Sequence, residues 1–493
     1  MKSISKENLF FYLLLSSINA YFIYWGIEYT HANHLVIFLL ATFFMILMAF
    51  NIGGNDVVNS FGTSVGAKTL TLKQALIVAA IFEVSGAMIA GGEVTKTIRK
   101  GIVNLGELSV SPQDFIFIMM SALFAAALWL LVATRKSWPV STTHSIIGGI
   151  VGSSITLGIV LEGGGAALEL VHWDKIGTIA LSWIISPVLG GLFAYLIYFG
   201  IKRSVLTYNE RANQSLTALK DEKKRITKMF KEQCKELKNN RHLGIHTKNQ
   251  MTPEERKKNL RYEFYKVIYK IKKQKTAVNS HHALQHWVPI IAALGSMIIT
   301  AMLFFKGLKH MHLDITLIDK FFIMLMISTL VWVTIYIFAR SLKNRTLDKS
   351  SFVLFSWLQI FTASAFAFSH GSNDIANAIG PFAAILDVLR TGDMASTASV
   401  PPIAMFTAGV AMIAGLWFLG AHVIKTVGEK LTLIHPASGF SAELAASAVI
   451  LMASTVGIPV SSTHILIGAV LGVSLVNHST NWTLMRSIGM AWI

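Results

Sequence analysis

Two short polar motifs each occur twice in the chain. Pro139-Val140-Ser141-Thr142-Thr143-His144 recurs as Pro459-Val460-Ser461-Ser462-Thr463-His464. Asn55-Asp56-Val57-Val58-Asn59 recurs as Asn373-Asp374-Ile375-Ala376-Asn377. A proline at the opening of a helix wastes no hydrogen bond, and the Ser and Thr residues after it are good N-terminal cappers. The N–H groups of the first turn have no partner inside the helix and sit at the positive end of its dipole. Ser141, Thr142 and Thr143, and likewise Ser461, Ser462 and Thr463, thereby offer hydroxyls beside free N–H groups, a cradle for a tetrahedral oxyanion without a fixed positive charge. The plainer reading is that these hydroxyls bond back to their own helices and the prolines only kink them. One copy would favour that reading. Two copies favour anion binding.

The Asn-Asp motif supplies hard oxygens. Asn55, Asp56 and Asn59 share one helical face, as do Asn373, Asp374 and Asn377, and each motif follows an apolar run. An ionised Asp inside a membrane helix costs about 2.5–3.5 kcal/mol on insertion scales, so such a residue asks for a function. Oxygen-only ligation suits Na⁺ or a carboxylate-borne proton, not zinc or copper. Gly53, Gly54, Gly62 and Gly371 are expected to let the backbone open and present carbonyls. The competing reading is a buried polar cluster that knits helices together. Glu83 and Glu443 also lie in apolar blocks, as cation sites, a proton relay or gating ion pairs, though at non-equivalent repeat positions, since Leu123 aligns with Glu443. His144 and His464 are expected to buttress the serine cluster, because no Cys/His set for a metal accompanies them.

The elements that position these residues follow from composition. Of 493 residues, 53% are hydrophobic and 14% charged, and the mean hydropathy is +0.56. Soluble domains carry about 25% charge, and a larger core cannot absorb that shortfall. Thirty Phe, ten Pro and one Cys exclude collagen-like, disulfide-stapled and disordered classes. The chain is expected to be an all-α polytopic membrane protein. A span needs about 20 apolar residues. Such blocks occur near 9–27, 34–52, 74–92, 115–134, 138–161, 176–200, 287–305, 321–339, 352–369, 400–420, 442–458 and 459–476, and a thirteenth begins near Ser487. That gives about 12 transmembrane segments and a last helix that looks truncated at Ile493.

Of the net charge of +17, +14 falls between Lys202 and Lys275, which hold 22 basic and 8 acidic residues. Lying between two apolar blocks, this run reads as a cytoplasmic loop rather than a nucleic-acid site. Parts of it, such as Arg256–Lys275, could lie on the anionic inner leaflet. With Lys2 inside, alternation puts Lys68/Lys73, Arg135/Lys136, Arg340/Lys343/Arg345 and Lys425/Lys430 inside and Glu162, Glu169 and Asp174 outside; Lys96, Arg99 and Lys100 dissent.

The motifs recur with offsets of 318 and 320, and Ile179–Ile184 resembles Ile488–Ile493 at an offset of 309. One unit of about 150 residues is therefore duplicated. Seven apolar blocks separate the starts of the two copies. An odd number turns them opposite ways, the arrangement of secondary transporters, whose site lies at the midplane between discontinuous or re-entrant helices. The expected organisation is 1–30 an N-terminal signal-anchor helix, 31–200 the first inverted repeat and 201–286 the basic cytoplasmic loop. A linking transmembrane helix pair (287–340) and the second inverted repeat (341–493) follow.

Residues 53–66 (GGNDVVNSFGTSVG), residues 370–384 (HGSNDIANAIGPFAA) and the two Pro-Val-Ser-(Thr/Ser)-Thr-His motifs resemble the signatures of the inorganic phosphate transporter (PiT) family of cation-coupled symporters. The resemblance implies phosphate held by Ser141, Thr142, Thr143, Ser461, Ser462 and Thr463. It implies a cation, Na⁺, at Asn55, Asp56, Asn373 and Asp374, and functional acids at Glu83 and Glu443. An interior at about −100 mV opposes an anion by about 2.3 kcal/mol per charge. Importing HPO₄²⁻ thus faces about 4.6 kcal/mol, which two monovalent cations cancel and a third converts into inward drive. Na⁺ is favoured and H⁺ remains open; either is cargo, and no resident cofactor is expected. The expected partners are inorganic phosphate, a monovalent cation and the lipid bilayer, with a homodimer left open and no nucleic acid. The expected location is a plasma membrane such as the bacterial inner membrane. A sulfate permease of the same fold and a passive anion channel are the rival readings. An intramembrane hydrolase is not favoured, since the chain has neither a nucleophile elbow nor a zinc HExxH motif.

Overall fold

Apolar runs of some 20 residues can satisfy their backbone in hydrocarbon only as helices or closed barrels, and this chain forms helices. The structure, a computed structural model, describes residues 6–103, 110–136, 138, 140–162, 168–242, 252–278, 280–306, 315–394, 400–420, 435–480, 482–483 and 485–486. The side chains of residues 57–59 lie outside that description, as does the apolar block expected from Ser487. In chain order the helices are α1 (Lys6–Tyr29), α2 (Leu35–Asn55), α3 (Val57–Gly66), α4 (Leu72–Ala90), α5 (Gly92–Lys100), α6 (Pro112–Arg135), α7 (Thr142–Glu162) and α8 (Trp173–Ile201). There follow α9 (Thr207–His242), α10 (Pro253–Ala277), α11 (His282–Lys306), α12 (Leu317–Ser341), α13 (Leu347–Thr391), α14 (Pro402–Gly415), α15 (Pro436–Thr455) and α16 (Ser462–Asn477). Eleven helical segments among the described residues are long and apolar enough to cross a membrane, and α16 is a shorter apolar helix.

Local sequence sets several boundaries. Thr71 and Gln74 close a capping box at the start of α4, and Ser111 and Asp114 do so at α6, where Pro112 occupies the first turn. Each box satisfies two N–H groups that the helix itself cannot. The first Asn-Asp motif interrupts a helix, since α2 ends at Asn55 and α3 starts at Val57. The second does not: α13 runs unbroken for 45 residues through Gly371, Asn373 and Asp374.

At Gly53 and Gly371 the missing side chain serves close packing. A methyl group on Gly53 would sit 1.7 Å from the Met412 carbonyl oxygen, and one on Gly415 would sit 1.7 Å from that of Phe50. A methyl on Gly371 would meet the Glu83 carbonyl at 2.1 Å, and one on Gly86 the Phe368 carbonyl at 2.0 Å. Helices α2 and α14, and helices α4 and α13, thus cross with their backbones in contact. Membrane helices pack this way because small residues replace the missing hydrophobic drive with dispersion contacts.

The chain packs as two units. The first comprises residues 1–199, 292–331 and 355–493. Its apolar core includes Phe22, Phe38, Met45, Met48 and Phe61, with the Phe22 ring 5.9 Å from Phe382. Helix α1 is held there as well: Trp417 Nε1 donates to Asn8 Oδ1 at 2.9 Å, and Phe11 stacks on Trp417. The second unit comprises residues 200–291 and 332–354. In it α9 and α10 pack together, with Phe230 stacked on Phe264 at 4.2 Å, and Asn213 donates to Asp348.

The α2–α14 crossing yields a prediction. Gly415→Val should abolish most of the monodisperse material seen by fluorescence-detected size exclusion, because no rotamer clears the Phe50 carbonyl. Gly177→Val should leave the elution profile unchanged, since nothing lies within 4 Å of a methyl group there. Matching profiles for the two variants would contradict the crossing.

Candidate functional site

All of the site's residues belong to the first unit. The openings of α7 and α16 meet there, and their six hydroxyls fall into three equivalent pairs. Ser141 and Ser461 cap their helices, accepting from His144 N at 3.2 Å and from His464 N at 3.3 Å. Each keeps its own O–H proton to donate. Thr143 donates to the Val460 carbonyl at 3.1 Å, and Thr463 lies 3.5 Å from the Val140 carbonyl, so each opening reaches across to the other. Thr142 and Ser462 donate to the aspartates: Thr142 Oγ1 to Asp56 Oδ2 at 2.6 Å, and Ser462 Oγ to Asp374 Oδ2 at 2.7 Å. All six are buried. Behind them the imidazoles of His144 and His464 meet edge to face at 4.7 Å, and His144 packs on Trp183. The two histidines therefore brace the openings, as expected from their place in the motif.

The Asn-Asp residues converge on the same point. Thr463 Oγ1 lies 3.3 Å from Asp56 Oδ1, and Asn377 Nδ2 lies 3.3 Å from both Thr142 Oγ1 and Thr143 Oγ1. Asn55 anchors the α7 opening, donating to Thr134 Oγ1 and the Trp138 carbonyl while its Oδ1 accepts from Val140 N at 3.4 Å. Asn373 does the corresponding work for α16, donating to the Val460 carbonyl at 2.8 Å and to Asp374 Oδ1 at 2.6 Å. The side chain of Asn59 lies outside the described residues.

Sequence reasoning missed His370. One helical turn before Asp374, it lies fully buried between two acids, with Nε2 2.7 Å from Asp374 Oδ2 and Nδ1 3.3 Å from Glu83 Oε1. Its only signal in the sequence is the spacing of four that puts it on the face of Asp374. Asp56, His370 and Asp374 each offer an atom within 4.8 Å of the others. Two carboxylates that close repel by roughly 3–4 kcal/mol at an effective dielectric near 20, so positive charge or protons must stand between them. Buried oxygens without a hydrogen-bond donor among the described residues accompany them: Glu83 Oε2, Asn373 Oδ1 and Asn377 Oδ1. Buried acceptors are rarely left orphaned, and oxygens such as these can take a water, a donor or a cation. Protein groups already bracket His370, so the remaining donors are all oxygen, as for a hard ion.

Glu83 and Glu443 belong to separate clusters. Glu83 also accepts from Ser60 at 3.2 Å. Glu443 is ringed by neutral donors: Thr63, Ser64 at 2.8 Å, Gln359 at 3.2 Å and Thr362 at 2.8 Å. Gln359 is oriented in turn by Thr69, which donates to its Oε1 at 2.6 Å. Ser60, Thr63 and Ser64 follow the first motif in sequence, but nothing there shows which acid each would face.

The profile of the phosphate transporter family matches residues 52–493. The chain belongs to the phosphate transporter family. It is a multi-pass membrane transporter, not an enzyme. A protein of Mycobacterium bovis named a phosphate permease is 55% identical over 497 residues, covering 99% of this chain and 89% of that one. The chloroplastic inorganic phosphate transporter 2-1 of Arabidopsis thaliana is 31% identical, covering 91% of this chain and 68% of that one. A solved structure described as the sodium-dependent phosphate transporter superposes with a TM-score of 0.70 at 30% identity, covering 93% of this transporter and 94% of that chain.

The bridge through His370 is testable in the transporter. His370→Leu removes the imidazole that stands between Glu83 and Asp374 and should abolish phosphate uptake. His370→Gln, which keeps one N–H in reach, should retain part of it. Uptake of labelled phosphate, normalised to protein in the membrane, decides; equal rates in the two variants would remove His370 from the site.

Proposed function

We propose that the transporter is a secondary active symporter that imports inorganic phosphate together with a cation, Na⁺ rather than H⁺. The observation that carries the reading is the pair of hydroxyl–carboxylate bonds, Thr142 to Asp56 and Ser462 to Asp374. A hydroxyl has one proton to give. While the aspartates accept those protons, Thr142 and Ser462 cannot donate to an anion, and two buried carboxylates repel a phosphate dianion. Cations on Asp56 and Asp374 remove both obstacles: they neutralise the charge and release the hydroxyls. Phosphate binding then depends on prior cation binding, which is what coupling requires.

In this reading phosphate is held by Ser141, Thr142, Thr143, Ser461, Ser462 and Thr463. The cations lie at Asp56 and Asp374 with the oxygens of Asn55, Asn59, Asn373 and Asn377, and Glu83 and Glu443 are the coupling acids. The unpartnered oxygens of Asn373, Asn377 and Glu83 support the cation sites. Sodium dependence in the description of the solved relative supports Na⁺. Phosphate, unlike sulfate, can donate a proton at neutral pH, so carboxylate acceptors beside the anion favour phosphate. Residues 31–200 and 341–493 act as inverted repeats, a view supported by the reciprocal contacts of Thr143 with Val460 and Thr463 with Val140. Residues 201–286 face the cytoplasm, on the strength of their basic charge, and the membrane is the plasma membrane.

Proteoliposomes with an imposed Na⁺ or pH gradient test the coupling. The Na⁺ gradient should drive phosphate accumulation in the unmodified transporter, and Asp56→Asn or Asp374→Asn should abolish it while the protein stays folded. Accumulation driven by a pH gradient alone would replace Na⁺ with H⁺. Accumulation unchanged in both variants would remove the cation role. In Thr142→Val, uptake should be lost and excess Na⁺ should not restore it.

A further inference from the structure

Away from the polar centre, a cavity of about 720 Å³ opens between α4, α11, α12 and α13, with Leu451 of α15 also lining it. Its volume falls within the range of roughly 300–1,000 Å³ typical of sites that enclose small ligands. One wall comes from the linking pair, Leu303 of α11 and Ile327 of α12, and the other from Phe82 of α4 and Trp357 and Phe361 of α13. The mouth is apolar and open: Phe82 is 36%, Phe361 44% and Trp357 58% exposed, whereas Leu451 at the floor is buried. Three hydroxyls line it, those of Ser85, Thr300 and Ser364; two are spent on their own helices, Ser85 on the Ile81 carbonyl at 2.6 Å and Ser364 on the Ile360 carbonyl at 2.9 Å.

A guest in this cavity therefore finds mainly dispersion contacts, with Thr300 the one hydroxyl of the lining not spent on a helix carbonyl among the described residues. Water needs two or more polar partners to settle in a cavity, and phosphate or a sugar needs more. The exposed mouth residues belong to membrane-spanning helices, so the cavity is continuous with the bilayer-facing surface, whose solvent is acyl chains. We propose that this cavity binds one fatty-acyl chain of a bilayer lipid, wedged between the linking helix pair and α4 and α13. The chain leans on the place where α4 and α13 touch through Gly86 and Gly371, the crossing that carries Glu83 and His370. The site is thus a lipid contact with a direct mechanical path to the coupling residues, and it does not depend on the choice of coupled cation.

The test uses the full transporter reconstituted in dioleoylphosphatidylcholine vesicles, extracted into mild detergent and weighed by native mass spectrometry. The unmodified protein should keep one phosphatidylcholine after surface lipid is stripped. Ala365→Phe, which fills the cavity, and the milder Ala365→Leu should lose it. Leu330→Trp, on an exposed part of α12 outside the cavity, should keep it. A brominated-chain analogue supplies a second readout with a conservative cavity variant: it should quench a fraction of the unmodified protein's fluorescence that is missing in Trp357→Phe. Equal lipid retention in all variants would overturn the proposal, as would no retained lipid, or a second copy of the chain released by Ala365→Phe.

Discussion

A hydroxyl donating to a buried carboxylate is the bond on which this site depends. Thr142 with Asp56, and Ser462 with Asp374, join a helix opening to an acid on a different helix in each half. A carboxylate at this depth is tolerated only with such donors or with a counter-ion. The same hydroxyls are the natural donors for a bound oxyanion. In the proposed function acid and anion compete for one set of protons, and that competition ties the two chemistries together more tightly than proximity alone would.

The rest of the first unit holds these groups in register. Asn55 and Asn373 pin the backbone leading into each opening, through Val140 and Val460. The serine caps fix the first turns, and the histidine pair fills the space behind them. Backbone contacts at glycine set how near the helices stand. A polar cluster this deep stays single-valued only when every member has a partner or a ligand, which makes the orphaned oxygens of Asn373, Asn377 and Glu83 informative.

Much of this was legible from residue types. Duplicated Pro-Val-Ser motifs announced paired helix openings, and apolar blocks located most spans to within a few residues, although α13 runs to Thr391, well past the block that ends near 369. That Asp56 and Asp374 would be buried beside polar partners followed from the cost of burying charge. What stayed hidden depends on which surfaces meet. Nothing local tells that Thr63 and Ser64 face Glu443 while Ser60 faces Glu83, because those partners lie hundreds of residues or a helix apart. The glycines were ambiguous for a physical reason: the residue that frees a backbone also removes the Cβ that keeps helices apart, and at Gly53 and Gly371 the second property serves packing. His370 was overlooked because a lone histidine on an apolar face is usually satisfied locally, whereas this one bridges two acids.

Helix α13 carries Gln359 and Thr362 beside Glu443 at one level and His370, Asp374 and Asn377 at another. At 1.5 Å per residue, the 18 steps from Gln359 to Asn377 span about 27 Å, nearly a hydrocarbon thickness, along an uninterrupted helix. A rod that stiff has no joint at which to dissipate a twist. A turn or lift at its Glu443 end is passed along the helix toward the Asp374 end, so the two acid clusters share one mechanical element although, among the described residues, no hydrogen bond runs between them.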